Sequence, residues 1–148
     1  MNRSGHVPAR PRPSVGRRAR RELEGRINIK KNGLIPIQNL ARYYAFARGI
    51  TAHSTLERLI AVREVDGQES ESERSLREAY MSMAHLQLRH HANAIRAGRP
   101  LDNMIEVATL RPLTRAALQE AMREVVAAQS RFPRLAAMIE NSFYEQQT

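Results

Sequence analysis

Six residues recur at intervals of three and four between positions 78 and 96: Glu78, Ser82, His85, Arg89, Asn93 and Arg96. On a helix this spacing places them along one face. The C-terminal half of the stripe is cationic and rich in hydrogen-bond donors, which suits a phosphate or a carboxylate. The same pattern also describes the ordinary solvated face of an amphipathic helix. His90 and His91 lie beside the stripe, but neighbours on a helix point about 100° apart and cannot easily share one metal ion. Their expected role is that of satisfied or surface histidines. Asp66 and Asp102 stand alone in the sequence, so the paired carboxylates that hold magnesium for nucleotidyl transfer are missing. The sequence also lacks a glycine-rich loop opening a helix, an HExxH motif and metal-binding Cys/His spacing. This pattern favours binding over catalysis.

The elements that would carry these residues read as helix after helix. The stretch RINIKKNGLIPIQNLARYYAFARGI, Arg26 to Ile50, opens with a short alternating run and two lysines. Gly33 then breaks the chain, Pro36 sets a first helical turn, and Gly49 closes that helix. Ile37, Leu40, Ala41, Tyr44 and Ala45 make one apolar stripe, with Tyr43, Phe46 and Ile50 opposite. A helix so apolar all round is expected to be surrounded by protein. Ser54 and Glu57 form a capping box for a second helix, with Leu56, Leu59 and Ile60 inward and Gly67 at its end.

An acidic, serine-rich segment from Gln68 leads into a third helix over about Ser72 to Ala97, stopped by Gly98 and Pro100. At ~1.5 Å per residue it is close to 40 Å long. Leu76, Tyr80, Met83, Leu86, Leu88 and Ile95 are its packing positions. Leu101 to Arg111 reads as an irregular crossover, and Pro112 starts a fourth helix with Leu113, Ala117, Ala121, Val125 and Ala128 inward. Pro133 predicts a kink or a restart, and the final stretch is either a fifth helix or an extension of the fourth. Ile27 to Ile29 is too short to count as a strand on its own. The fold class that follows is all-α: a four- to five-helix bundle over residues 26–148, preceded by a disordered basic tail over 1–25.

Composition sets the outer limits. The chain has 148 residues, no cysteine and a net charge of +9. Met1 to Arg26 holds eight arginines and two glutamates, so most of the excess charge lies there. With prolines at 8, 11 and 13 and little apolar surface, this segment is expected to be disordered. A merely solvated start, non-specific phosphate contact and an organelle transit peptide all remain open for it. Interleaved aromatics are missing, so base stacking has no support there. No run reaches the ~18 apolar residues of a membrane span. A cytoplasmic protein is the expectation.

Four segments then follow in a recognisable order: INIKKNGLIPIQNLARYYAFARGI, STLERL, LQLRHHANAIRAGRPLDNMI and LRPLTRAALQEAM. Together, over roughly Gly25 to Gln129, they resemble the putative nucleotidyltransferase substrate-binding domain. That domain usually ends larger bacterial signalling proteins, after CBS or cyclic-nucleotide modules and a nucleotidyltransferase-like domain similar to the uridylyltransferase of the P-II protein. The resemblance carries over the basic turn at Lys30, Lys31 and Gly33, and the helix arginine at Arg42. It also carries over Thr55, Arg58 and Leu59, then Leu88 and Arg89, with His91 where glutamine is usual. Asp102, Asn103 and Arg115 match as well. Arg111 replaces the usual capping serine, a loss of ~1 kcal/mol.

The stripe and the resemblance together nominate Lys30, Lys31, Arg42, Arg58, His85, Arg89, His91, Asn103 and Arg115 as substrate- or partner-binding residues, with no catalytic residue and no metal ligand. Arg42 and Arg58, on apolar helices, have a competing reading as structural clamps. Lys30, Lys31, Arg42, Arg58, Arg89 and Arg115 converging on one negative charge is the functional reading. The resemblance implies a non-catalytic domain that binds substrate or partner for a nucleotidyltransferase-like signalling system, either free-standing or as a fragment of a longer chain. Magnesium and nucleoside triphosphate would then belong to a partner catalytic domain, and a protein substrate is the other implied partner. The competing class is a small basic helical protein that contacts nucleic acid or scaffolds a complex.

Overall fold

Ile27 and Ile29 alternate with Arg26, Asn28 and Lys30, Ile105 and Val107 flank Glu106 far along the chain, and the two runs find each other. In the computed structural model, which describes residues 25–145, strand β1 (Arg26–Asn28) pairs antiparallel with β2 (Met104–Glu106). The register sets Arg26 opposite Glu106, Ile27 opposite Ile105 and Asn28 opposite Met104. Two further backbone bonds extend the ladder, from Ile29 N–H to Asn103 O (2.9 Å) and from Val107 N–H to Gly25 O (3.0 Å). All four β-branched side chains are buried. The expectation of no strand is corrected here, because each run is too short alone and its partner is distant in sequence. The crossover is likewise ordered, as β2 followed by a 3₁₀ turn, Val107–Thr109. The expected tail falls almost wholly outside the described residues.

Helix α1 (Ile35–Ala47) does not begin at a break. A π-helical turn, Lys30–Leu34, runs directly into it, and Ile35 N–H still bonds to Lys30 O. The change from π to α spacing falls beside Pro36, which has no N–H to donate. Gly33 therefore continues the helix instead of interrupting it. Its role is close approach: a Cβ there would overlap Met83 Sδ and lie 3.2 Å from Met83 Cε and 3.7 Å from Met122 Sδ. Gly33→Val is expected to cost about 2 kcal/mol through overpacking. Urea unfolding of G33V, M83A and the double variant checks this, with a double-variant loss smaller than the sum of the two.

Helix α2 (Thr55–Asp66) carries the expected capping box: Glu57 N–H donates to Ser54 Oγ (3.1 Å) and Ser54 N–H to Glu57 Oε2 (3.0 Å). Leu59, Val62 and Thr55 are its buried residues, while Ile60 is exposed. Helix α3 (Glu71–Arg96) starts from a second capping box, Ser70 with Glu73, slightly before the expected Ser72. Gly67 and Gly98 stand at positive φ, 72° and 63°, just past the ends of these helices. That left-handed turn is open to glycine at little cost.

Helix α4 (Pro112–Glu145) is continuous, with Pro133 inside it. Of the two readings of the final stretch, a fifth helix or an extension, the structure shows the extension. Pro133 and Gln129 are both exposed, so the carbonyl that the proline leaves unpaired reaches water. The edge of Phe132 meets Tyr43 of α1 at a ring separation of 4.7 Å, which holds the helix to the core beside the proline.

α3 and α4 share the most extensive helix–helix interface, and Leu76, Met83, Leu118 and Val125 are fully buried across it. The stripes are narrower than expected. Phe46, Leu88, Ile95 and Leu113 are exposed, so α1 is not enclosed on every side and α3 packs through Ala79 and Ala94 instead. Arg48 gathers three helix ends: its guanidinium binds Asp66 Oδ1 and Oδ2 (2.9 and 2.7 Å) and lies 3.7 Å from Glu73. That contact, chiefly its hydrogen bond, holds the Asp66 carboxyl below the usual range. The architecture is all-α with one small sheet. No helix among the described residues is long and apolar enough to cross a membrane.

Candidate functional site

The β1–β2 pairing brings Arg26 to the C-terminal half of α3, a position that sequence distance alone would not suggest. There it meets Arg89 and Asn93 of α3, Arg99 just beyond that helix, and Arg111 at the entry to α4. Together they line a cleft of about 500 Å³. Leu86, Met104, Ile105 and Leu110 supply its apolar part, and Asp102 and Glu106 are its two carboxylates. Four guanidiniums against two carboxylates leave the cleft net positive. Pro112 has no N–H, and Arg111 offers no side-chain oxygen to cap the next amides of α4. The positive end of that helix dipole therefore adds to the field near Thr114, which also lines the cleft.

The floor is held rigidly. Asp102 Oδ1 accepts from Met104 N–H (2.8 Å) and meets His90 Nε2 at 2.9 Å. His91 Nε2 lies 2.8 Å from the Asp102 carbonyl, which can only accept, so this nitrogen carries the proton. The adjacent histidines thus grip one residue by two different groups. The bond to His90, the Met104 amide and the nearby Arg26 charge together hold the Asp102 carboxyl below its ordinary range. Asn103 locks the next position: Gln87 Nε2 donates to its Oδ1 (2.7 Å), and its carbonyl accepts from Ile29.

Arg115 closes the loop from the other side. Its guanidinium donates to the carbonyls of Val107 (3.2 Å), Ala108 (2.8 Å) and Leu110 (3.3 Å). A fork of fixed donors suits three carbonyls on one turn. The nominated residues therefore divide. His91, Asn103 and Arg115 organise the crossover that forms the cleft wall. Arg89 alone of the nine lines the cleft, and it also borders a smaller groove of about 250 Å³ beside His85, Ser82 and Leu113.

Lys30 and Lys31 are exposed on the π turn, Arg42 is exposed on α1 and 3.5 Å from Asn39 Oδ1, and Arg58 is half-buried on α2. None of these four lines the cleft. The cations that line this cleft are a different set: Arg26, Arg89, Arg99 and Arg111. Asn93, from the helical stripe, was a usable sequence signal. Arg111 registered only as a lost cap, and Arg26 and Arg99 carried no local signal. Among the described residues no group of three or more His, Asp or Glu side chains is placed to hold a metal ion.

A family model described as putative nucleotidyltransferase substrate binding domain matches residues 6–134. The match reaches further toward the N-terminus than the Gly25–Gln129 resemblance and takes in most of the arginine-rich segment. No curated protein and no solved structure matches the chain.

Proposed function

The chain belongs to the putative nucleotidyltransferase substrate binding domain family, and from that premise we propose that it holds an anionic substrate for nucleotidyl transfer catalysed by a separate domain or protein. The observation that carries this reading is the cleft, where arginines from four separate segments meet over a rigid floor. Arginine is suited to such a site because it is always charged and presents a planar fork of donors to phosphate or carboxylate. Signalling is the setting in which such a domain would work, with magnesium held by the catalytic partner.

Two measurements test the proposal. Incubated with magnesium and labelled nucleoside triphosphates, the chain alone is expected to transfer no nucleotide, and robust turnover would contradict the non-catalytic assignment. Calorimetry with inorganic phosphate, citrate, an acidic peptide and nucleotides is expected to find at least one saturable ligand whose affinity falls with salt. If every anion fails at low ionic strength, the substrate-holding role is wrong.

A further inference from the structure

The cleft combines two chemistries that a simple anion would not use together. Arg26, Arg89, Arg99 and Arg111 line it together with the apolar Leu86 and Leu110. The cleft arginines have no hydrogen-bond partner for their guanidiniums among the described residues. By contrast Arg48, Arg77 and Arg115 are tied to Asp66, Glu69 and backbone carbonyls. Donors left free around a concavity are available to a ligand. A volume of about 500 Å³ lies within the range of small-molecule sites, roughly 300–1,000 Å³. A folded protein partner would instead need an interface of about 1,000 Å² or more.

From this arrangement we infer, against the expectation that nucleoside triphosphate belongs only to a partner catalytic domain, that the cleft of this chain binds a nucleoside triphosphate, with its polyphosphate held by the four arginines and its nucleoside against Leu86 and Leu110. The inference rests on the substrate-holding reading and names the ligand class. A triphosphate carries three to four negative charges, and four guanidiniums supply the countercharge directly. Asp102, one of the two lining carboxylates, is already engaged by His90 and the Met104 amide. Asp102 and Glu106 reduce the cleft to a net charge of about +2, and the arginine donors are expected to hold the polyphosphate without magnesium. Asn93 and Thr114 add neutral hydrogen-bonding groups for the sugar or base.

The test is calorimetry on the full chain at low salt with EDTA present, using ATP, GTP, CTP, UTP, inorganic tripolyphosphate and citrate. At least one nucleotide is expected to bind one to one, at least threefold tighter than tripolyphosphate. The Arg99→Ala, Arg111→Ala double variant is expected to lose about tenfold or more. Both side chains are exposed, so folding is preserved, and circular dichroism verifies it. The arginine-rich first residues remain in that variant, which controls for non-specific attraction to them. An absolute magnesium requirement, equal affinity for tripolyphosphate, or unchanged affinity in the variant would each overturn the inference. Binding of citrate without any nucleotide would overturn it while leaving the substrate-holding reading intact. Silence from every anion would overturn both.

Discussion

Arg115→Ala is expected to destabilise the fold by about 2–3 kcal/mol and to weaken ligand binding at the cleft at the same time. Three carbonyls, on Val107, Ala108 and Leu110, lose their charged donor in this variant. Hydrogen bonds to charged groups contribute about 1.5–3 kcal/mol each, but two are long and one is exposed, so the total stays well below the sum. The 3₁₀ turn that carries these carbonyls leads into Leu110 and Arg111, which line the cleft, so loosening it blurs that wall. Arg115→Lys is expected to recover less than half, because an ammonium cannot reproduce the fork. Denaturant unfolding of both variants decides the matter. Unchanged stability in R115A would mean that Arg115 is not a clamp and is free for the substrate, as the resemblance implies.

Arg89→Ala is expected to weaken binding of the cleft ligand about tenfold, whereas Arg96→Ala changes it less than about twofold. Both arginines lie on α3, both are exposed, and each substitution removes one positive charge. They differ in place: Arg89 lines the cleft, and Arg96 does not, lying near Asn93 Oδ1 at 3.3 Å. The comparison therefore separates a localised site from a general basic surface. Equal losses in the two variants would indicate attraction to net charge alone. The titrations belong at low salt, where the difference is largest.

Much of the fold was legible locally. Ser54–Glu57 announced a helix start through a reciprocal bond between residues close in sequence, and the Ser70–Glu73 box has the same signature within a serine-rich run. Pro112 and the glycines past α2 and α3 marked boundaries for equally local reasons. The β1–β2 pair was not legible, because a three-residue strand becomes stable only when a distant partner completes its ladder. Leu88, Ile95 and Leu113 misled for a related reason: periodicity marks apolar positions, but tertiary packing decides which of them a neighbour covers. The same gap explains the site. Arg89 and Asn93 were visible as a helical stripe, whereas Arg26 and Arg99 enter only once the strands pair and α3 ends. His91, Asn103 and Arg115 were recognisable as special positions, and the geometry gives them structural partners.

In the proposed function the cationic cleft, and not the exposed lysines and arginines on α1, α2 and the π turn, holds the substrate's charge. Amide chemical-shift mapping on the isotope-labelled chain tests it most directly, using whichever anion binds most tightly by calorimetry. The expected footprint covers residues 86–93 and 99–114, saturates with one affinity, and fades in Arg89→Ala. A footprint centred on Lys30, Lys31, Arg42 and Arg58, with residues 86–93 and 99–114 unmoved, would contradict the account.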